Sequence, residues 1–224
     1  MVNYFKLRPN NLTSPEFRHL FLLLFWVFFG ALFYAAEVLI PRDYYYPMYC
    51  PLDDLIPFCE WFMIPYVFWF VFLYGMHGYL LLFDIPAFRR FQYFIMFTYG
   101  VTIFVYLVYP NCQELRPTEF PRDNFLTRFA AAYHAYDTNT NVCPSLHAVG
   151  SMAVAFAAWD TRRFRTRFWK ITFMVTALII SISTVFVKQH SILDVFWAML
   201  LCMAGYILVY KLPSWIPGWK ERWV

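Results

Sequence analysis

Two ionisable residues, His190 and Asp194, stand four positions apart at the start of an apolar segment late in the chain. A spacing of i, i+4 places both side chains on one face of a helix. A carboxylate beside an imidazole selects one tautomer and supports the protonated form. Such a histidine can act as a nucleophile or a general base. A buried histidine that is only hydrogen-bonded by its neighbour has the same pattern, so the pair alone leaves both interpretations open.

A second group is the run Cys143-Pro144-Ser145-Leu146-His147. Proline is favoured at the first position of a helix, so we predict a helix that begins near Ser145. The free N–H groups of a helix N-terminus suit an anion. A phosphate held there would contact those N–H groups, the Ser145 hydroxyl and His147 together.

A third element is Arg116, which precedes Pro117. The planar guanidinium of arginine binds two phosphate oxygens at once. An Arg-Pro pair alone carries little information, and its value depends on whether the fold brings it close to the histidines.

The elements that must position these residues are membrane helices. Hydrophobic residues make up 61% of the 224-residue chain, aromatic residues 24% and charged residues only 14%, against about 25% charged in a soluble domain. The mean hydropathy is +0.48. This composition excludes a disordered chain, a coiled coil and almost any soluble domain. We therefore predict an all-α, polytopic membrane protein with a single domain over residues 1–224.

Six segments are long and apolar enough, or nearly so, to span a bilayer, which takes roughly 20 residues. Residues 144–159 are the shortest of them and would cover only about 24 Å at ~1.5 Å per residue. That helix either does not span fully or ends below the surface and forms the floor of a cavity. The predicted spans are 20–40, 61–83, 91–108, 144–159, 171–187 and 192–212.

A short additional helix is predicted between Asp123, as its N-cap, and Asp137. Phe125, Phe129 and Tyr133 recur at near-helical spacing. This aromatic stripe, which Tyr136 continues, suits either the membrane surface or packing on the bundle.

Basic residues divide unevenly between the two sides, which by the positive-inside rule puts both termini in the cytoplasm. The Arg-rich stretch 162–170 serves as a topology anchor in this interpretation, and nucleic acid is not an expected partner. The three candidate groups then all fall on the extracytoplasmic side, although the count of basic residues used neither the two histidines nor Asp194. Thirteen basic residues lie inside (Lys6, Arg8, Arg18, Arg89, Arg90, Arg162, Arg163, Arg165, Arg167, Lys170, Lys211, Lys220, Arg222) and five outside (Arg42, Arg116, Arg122, Arg128, Lys188).

Four of the five cysteines lie in or beside the outer segments. On an oxidising side, Cys112 with Cys143 and Cys50 with Cys59 would be suitable disulfide pairs, although free thiols are equally compatible with the sequence. Cys143 and His147 lack further ligands at metal spacing, so we expect no metal and no other cofactor.

Other polar residues carry weaker expectations. Glu37 should lie near the outer end of the first helix and face a cavity or the lipid headgroups. His77 is expected to be a hydrogen-bonded core residue, and His134 a surface or interfacial one. Asp53 and Asp54 belong to a loop that either covers the site or is a solvated turn.

These motifs together resemble the type-2 phosphatidic acid phosphatase superfamily of lipid phosphatases and phosphotransferases. Its pattern is Lys, six residues and Arg-Pro; then Pro-Ser-Gly-His; then Ser-Arg, five residues, His, three residues and Asp. This chain keeps Arg116-Pro117, has Pro144-Ser145-Leu146-His147, and runs from Ser183 through His190 to Asp194. The order, the spacing and the six-helix layout match over most of the chain.

Three positions depart from that pattern. Tyr109 stands where the family has Lys, Thr184 where it has Arg, and Leu146 where it has Gly. Two phosphate-binding cations are therefore missing, and we hypothesise that Lys188 replaces one. The Pro-Ser-Leu-His version resembles the branch that contains the inositol phosphorylceramide synthases and bacterial relatives, which includes transferases.

The resemblance implies a role for each matching residue. His190 would attack phosphorus and form a phosphohistidine, while Asp194 orients it. His147 would protonate the leaving alkoxide and then activate water or an alcohol. The phosphate oxygens would be held by Arg116, Lys188 and Ser145, with Tyr109 at the edge of the same subsite.

Three functions follow from this comparison. The leading one is hydrolysis of a lipid phosphate or lipid pyrophosphate by water, and the second is transfer of a phospho-headgroup to an alcohol acceptor. The third is a non-catalytic lipid-binding or transport protein on the same scaffold, which the two missing cations favour and the retained His, His and Asp oppose. The oligomeric state and the identity of the lipid stay open.

Overall fold

The computed structural model describes residues 2–40 and 43–212 and is 71% helical, with almost no strands. The prediction of an all-α, polytopic membrane fold is confirmed. Within the described residues, five helices are long and apolar enough to cross a membrane: Arg18–Leu39, Glu60–Phe83, Ile85–Val108, Arg167–Phe186 and Ile192–Lys211.

The first and last of these spans change their helical type along their length. A 3-10 helix, Arg18–Leu23, leads into α1, Leu24–Tyr34, and a π-helix, Ala35–Leu39, ends the span. At the other end of the chain, α7, Ile192–Tyr206, continues into a π-helix, Ile207–Lys211. The other elements are α2, Met63–Phe83; α3, Ile85–Val108; α4, Phe125–Tyr136; α5, Leu146–Asp160; and α6, Arg167–Phe186.

The junction between α2 and α3 is shorter than predicted. Residues 84–90 were expected to form a loop with Arg89 and Arg90, but α3 begins at Ile85 and includes both arginines. The Asp84 carboxylate accepts from the Ala87 N–H at 3.2 Å, and Pro86 lies in the first turn, where it is favoured. This N-cap starts the helix six residues earlier than hydropathy indicates, because Arg89 and Arg90 interrupt the apolar run after the first turn.

The short helix α5 lies at the centre of the bundle and contacts α2, α3, α6 and α7. It has 15 residues, which span only about 22 Å, less than the ~30 Å of a hydrocarbon core. All residues from Ala148 to Ala158 are buried, and most are Ala, Gly or Ser. Small side chains let the neighbouring backbones approach closely. The first residues of α5 therefore lie deep in the bundle.

The additional helix α4 exists, but its cap is one residue later than predicted. Asn124 is the N-cap and accepts from the Thr127 N–H at 3.0 Å, whereas Asp123 pairs with Arg128. The aromatic stripe divides: Tyr133 packs edge-on against Tyr66, while Phe125 and Tyr136 are exposed.

Two segments of irregular backbone join at the same end of the bundle as the start of α5. Strand β1, Tyr46–Pro47, pairs in parallel with β2, Asn111–Cys112. Here we call this end, which also holds α4 and the turn at 187–191, the site end. The side of the membrane that the site end faces stays a prediction, and so does the single-domain assignment. Three residues of the charge count, Arg42, Lys220 and Arg222, lie outside the described residues.

His77 lies in the core among the rings of Trp26, Phe88 and Phe91. Among the described residues, neither of its ring nitrogens has a hydrogen-bond partner. The expectation of a hydrogen-bonded histidine was therefore wrong, because the surrounding side chains are aromatic and offer no acceptor.

We predict that Gly150→Ala destabilises the bundle. A Cβ at Gly150 would lie 2.7 Å from Tyr99 Oη and 2.9 Å from Trp69 Nε1, so these rings must move. Overpacking of this kind costs about 1–3 kcal/mol, which lowers the melting temperature by roughly 2–12 °C for a chain of this size. The measurement is thermal unfolding in detergent. Gly78→Ala is the control, since no atom lies within 4 Å of its Cβ; equal melting of the two variants would contradict the prediction.

Candidate active site

His190 and Asp194 form a buried pair at the start of α7. The His190 Nδ1 atom lies 3.1 Å from Asp194 Oδ2, and the two side chains are 8% and 0% exposed. The same carboxylate oxygen accepts from the Ser191 N–H at 2.9 Å. Because Asp194 engages Nδ1, Nε2 is the ring nitrogen that points away from the carboxylate.

The turn between α6 and α7 fixes the backbone of His190. Thr184, which replaces the family arginine, is buried, and its carbonyl accepts from the N–H groups of Gln189 and His190 at 3.0 and 3.2 Å. Lys188 has a positive φ of 59°, a conformation that non-glycine residues rarely adopt. The turn is therefore tight and leaves the His190 side chain directed into the site end.

His147 lies in the first turn of α5, as predicted. Its ring stacks on Tyr66 at a centroid distance of 4.4 Å and lies against Trp69, also at 4.4 Å. Ser145 is the N-cap of this helix: its Oγ accepts from the Ala148 N–H, and its own N–H donates to the Asp194 carbonyl at 3.1 Å. This last bond joins the start of α5 to the start of α7.

The two histidine rings face each other in the interior. Their centroids are 5.9 Å apart and their planes are inclined at 64°. His147 Nε2 is buried and, in the part of the chain that the structure describes, has no hydrogen-bond partner. Buried polar atoms rarely stay unpaired, so this nitrogen is a candidate contact for a ligand.

Arg116 lies near the pair, but its guanidinium is already engaged. Its Nη1 donates to the carbonyl oxygens of His134 and Asp137 at 2.7 and 2.9 Å, and its Nη2 donates to Thr138 at 2.7 Å. The buried Nε has no partner among the described residues. Burial lowers the pKa of Arg116 from its ordinary value. In this arrangement the arginine satisfies the carbonyls at the end of α4.

The side chains of Lys188 and Tyr109 are also in contact with other residues of the chain. The Lys188 Nζ atom donates to the Asp53 carbonyl at 2.8 Å, and burial lowers the pKa of this lysine while Asp53 and Asp54 raise it. Tyr109 stacks on Tyr46 at 4.2 Å and is 45% exposed. Their proposed contacts with phosphate therefore stay predictions.

The sequence reasoning missed an acidic residue, Asp137, that interacts with the region of His190. The Asp137 carboxylate accepts from Gln189 Nε2 at 2.7 Å and interacts electrostatically with His190 and Arg116. Burial raises the pKa of Asp137 above its ordinary value, and Arg116 opposes that rise. Its position at the end of α4 had marked it only as a helix boundary.

The Glu37 carboxylate is bound by a polar loop. It accepts from the side chains of Thr138, Thr140 and Asn141 at 2.6–2.8 Å. These residues belong to the segment that leads into Pro144-Ser145. Folding thus brings a polar loop over the end of the first span, and the contact of Glu37 with headgroups or a cavity stays a prediction.

Further bonds hold the chain just before Ser145. Asn111 Oδ1 accepts from the N–H groups of Val142 and Cys143 at 2.8 Å, and Tyr106 donates to the Pro144 carbonyl at 2.9 Å. The five cysteines are free thiols in the structure, so neither predicted pairing is formed there.

Residues 91–217 match the family model of the PAP2 superfamily, more than half of the chain. The protein therefore belongs to the PAP2 superfamily, whose members are generally phosphoesterases or phosphotransferases. Comparisons with curated proteins and with solved structures find no match. Tyr66 and Trp69, which enclose His147, precede the matched region, and nothing in the apolar run that contains them distinguishes them from lipid-facing aromatics.

His134 makes the stability of the site end depend on pH. Its Nε2 lies 3.0 Å from the Val187 carbonyl, and burial, with Arg116 adding to it, lowers its pKa to about 4. The unfolded chain takes up this proton near pH 6.5 and the folded chain only near pH 4. Stability should therefore fall as the pH drops through this window.

We predict that His134→Gln loses less stability than the wild type between pH 7 and pH 5. Thermal unfolding in detergent at the two pH values measures the difference. An identical loss in both proteins would show that His134 does not titrate in this way.

Proposed function

We propose that this protein is a membrane-embedded enzyme that cleaves the phosphoester bond of a lipid phosphate through a phosphohistidine on His190. The observation that carries the proposal is the buried His190–Asp194 pair, whose imidazole lies 5.9 Å, centroid to centroid, from the His147 ring; within the described residues, His147 Nε2 has no hydrogen-bond partner. Binding alone requires no such arrangement of a nucleophile, its orienting carboxylate and a second imidazole.

In the first step, His190 Nε2 donates its electron pair to phosphorus. The phosphorus–oxygen bond to the lipid alcohol breaks, and protonated His147 gives its proton to the leaving oxygen. Asp194 holds the Nδ1 proton and stabilises the positive charge that develops on the ring. The products are the lipid alcohol and phosphorylated His190.

In the second step, neutral His147 removes a proton from water. The hydroxide oxygen that forms attacks phosphorus, and the bond between phosphorus and His190 Nε2 breaks. Inorganic phosphate leaves, while His190 returns to its neutral form and His147 to its protonated form. The N–H groups of Leu146 and His147 at the start of α5 are suitably placed to stabilise the phosphate oxygens.

A lipid substrate is supported by an apolar groove beside the site. The groove has a volume of about 500 Å³ and lies between α3 and α7. Cys143 and Pro144, directly before Ser145, form part of its wall. An acyl chain in this groove would bring its headgroup to the start of α5 from within the bilayer. By charge counting, we place this end on the extracytoplasmic side.

Transfer of a phospho-headgroup to an alcohol is the second candidate, and one observation favours it. Arg116 and Lys188 are both engaged by carbonyl oxygens, and the Asp137 carboxylate lies near His190. A site with few free cations suits the single charge of a phosphodiester better than the double charge of a phosphomonoester. The Pro-Ser-Leu-His motif, similar to that of the transferase branch, agrees with this alternative.

The first test is trapping of the covalent intermediate. Purified protein is mixed with dioctanoyl phosphatidic acid or dioctanoyl phosphatidylinositol, each carrying radiolabelled phosphate, and is quenched in alkali. We expect label on His190 in the wild type and none in His190→Ala. Label elsewhere in a well-folded wild type, or turnover that survives His190→Ala, would refute the assignment; a wild type that binds these lipids without turnover would favour the non-catalytic alternative.

We also predict that His147→Gln lowers kcat by about 10²–10⁴-fold, the usual contribution of a general acid–base residue. Formation of the phosphohistidine should slow together with its breakdown, because His147 serves both steps. Stopped-flow or quenched-flow kinetics on the same two lipids measure this. Adding acceptor alcohols to the wild type then distinguishes the candidates, since a transferase gives the phosphorylated alcohol and a hydrolase gives free phosphate.

A further inference from the structure

A carboxylate from the first loop of the site end reaches the chain around His190. Asp53 lies in the 3-10 helix Pro51–Leu55, between the first and second spans, and is 0% exposed. The sequence allowed a solvated turn here, and the structure excludes it for Asp53. A fully buried carboxylate is costly unless it is hydrogen-bonded, so its partners indicate why it is there.

Those partners are the two residues that follow His190. Asp53 Oδ2 accepts from the Ser191 hydroxyl at 2.6 Å, and Asp53 Oδ1 accepts from the Ile192 N–H at 2.8 Å. A third bond, from the Cys50 N–H at 2.9 Å, fixes the carboxylate within its own loop.

Lys188, two positions before His190, is also hydrogen-bonded to neighbouring segments. Lys188 Nζ donates to the Asp53 carbonyl at 2.8 Å, and the side chain of Gln113 donates to the Lys188 carbonyl at 3.0 Å. Asp53 thus contacts residues on both sides of His190, at position 188 and at positions 191 and 192. Asp194 contacts the imidazole ring itself.

We propose that Asp53 is a positioning residue: its carboxylate holds Ser191 and Ile192, its carbonyl holds the Lys188 side chain, and together these contacts aim His190 Nε2 at phosphorus. This inference rests on the proposed function in naming the reaction that the positioning serves. Asp53 precedes residues 91–217, the part matched by the family model. The loop from Cys50 to Leu55 would then be part of the catalytic unit rather than a connection between spans.

The chemistry of the contact predicts which substitution breaks it. The Asp53 carboxylate accepts from three donors, Ser191 Oγ, Ile192 N and Cys50 N. An amide has one oxygen and one NH₂ group, so Asp53→Asn must turn a donor toward a donor. Asp53→Glu keeps both oxygens and should recover part of the lost rate.

The chain offers a matched control in the next residue. Asp54 is exposed and accepts from the hydroxyl of Tyr49, which is also exposed. Asp54→Asn removes the same charge from the same loop without touching residues 188–192, and it should leave the kinetics unchanged.

The experiment compares Asp53→Asn, Asp53→Glu and Asp54→Asn in the full-length protein with dioctanoyl phosphatidic acid and dioctanoyl phosphatidylinositol. We expect kcat of Asp53→Asn to fall about 10²-fold, the cost of a misplaced reacting group. KM should change less than about threefold, because the groove and the start of α5 are untouched. A KM change without a kcat change, or equal kinetics for Asp53→Asn and Asp54→Asn, would overturn the inference.

Hydrogen exchange of the peptide that spans residues 188–193 tests the same contact without any turnover. Exchange should accelerate in Asp53→Asn and stay at the wild-type rate in Asp54→Asn. If Asp53→Asn does not fold, Asp53→Glu, which keeps both oxygens but shifts them by one methylene, is compared with Asp54→Asn instead and should raise exchange by a smaller factor. An inactive wild type would refute the proposed function alone. Unchanged exchange in the Asp53 variants would refute the positioning role of Asp53.

Discussion

A short helix of small residues at the centre of the bundle determines where the chemistry can take place. Because α5 has only 15 residues and is buried from Ala148 to Ala158, the helices α2, α3, α6 and α7 can pack closely around it. Its first turn places the His147 ring against Tyr66 and Trp69 and 5.9 Å from the His190 ring, centroid to centroid. The packing that permits it is tight, since even a methyl group at Gly150 would meet Tyr99 and Trp69.

Irregular backbone at the site end is held by three carboxylates from the N-terminal third of the chain, of which Asp53 and Glu60 are fully buried. Glu37 holds residues 138–141, Asp53 holds 188–192, and Glu60 accepts from Arg122 and Asn124. Where water is scarce, backbone and side-chain donors need protein acceptors. Each carboxylate accepts hydrogen bonds from a different segment. The part of the chain before the family-matched region therefore helps to build the site, although all the motif residues come later in the sequence.

The arrangement of charge narrows the chemistry of the substrate. Arg116 and Lys188, the cations expected to bind phosphate, donate to carbonyl oxygens in this structure, and the Asp137 carboxylate lies in the same region. Under the proposed function, the helix terminus and the two imidazoles would then contribute much of the electrostatic stabilisation of a phosphoryl group. This feature separates the two candidate reactions, since it favours the phosphodiester of the transferase alternative.

The sequence by itself determined the membrane class, the positions of the helices and the residues of the catalytic motifs, since hydrophobic length and motif spacing are local properties. It misplaced the start of α3 and the cap of α4, because capping by Asp84 and Asn124 depends on backbone geometry that composition does not encode. Only the tertiary structure decided that Asp53 is buried, that Glu37 holds a loop and that Arg116 is engaged. These contacts join residues 18–139 positions apart, and no local pattern records which distant donor a carboxylate will meet once the helices pack.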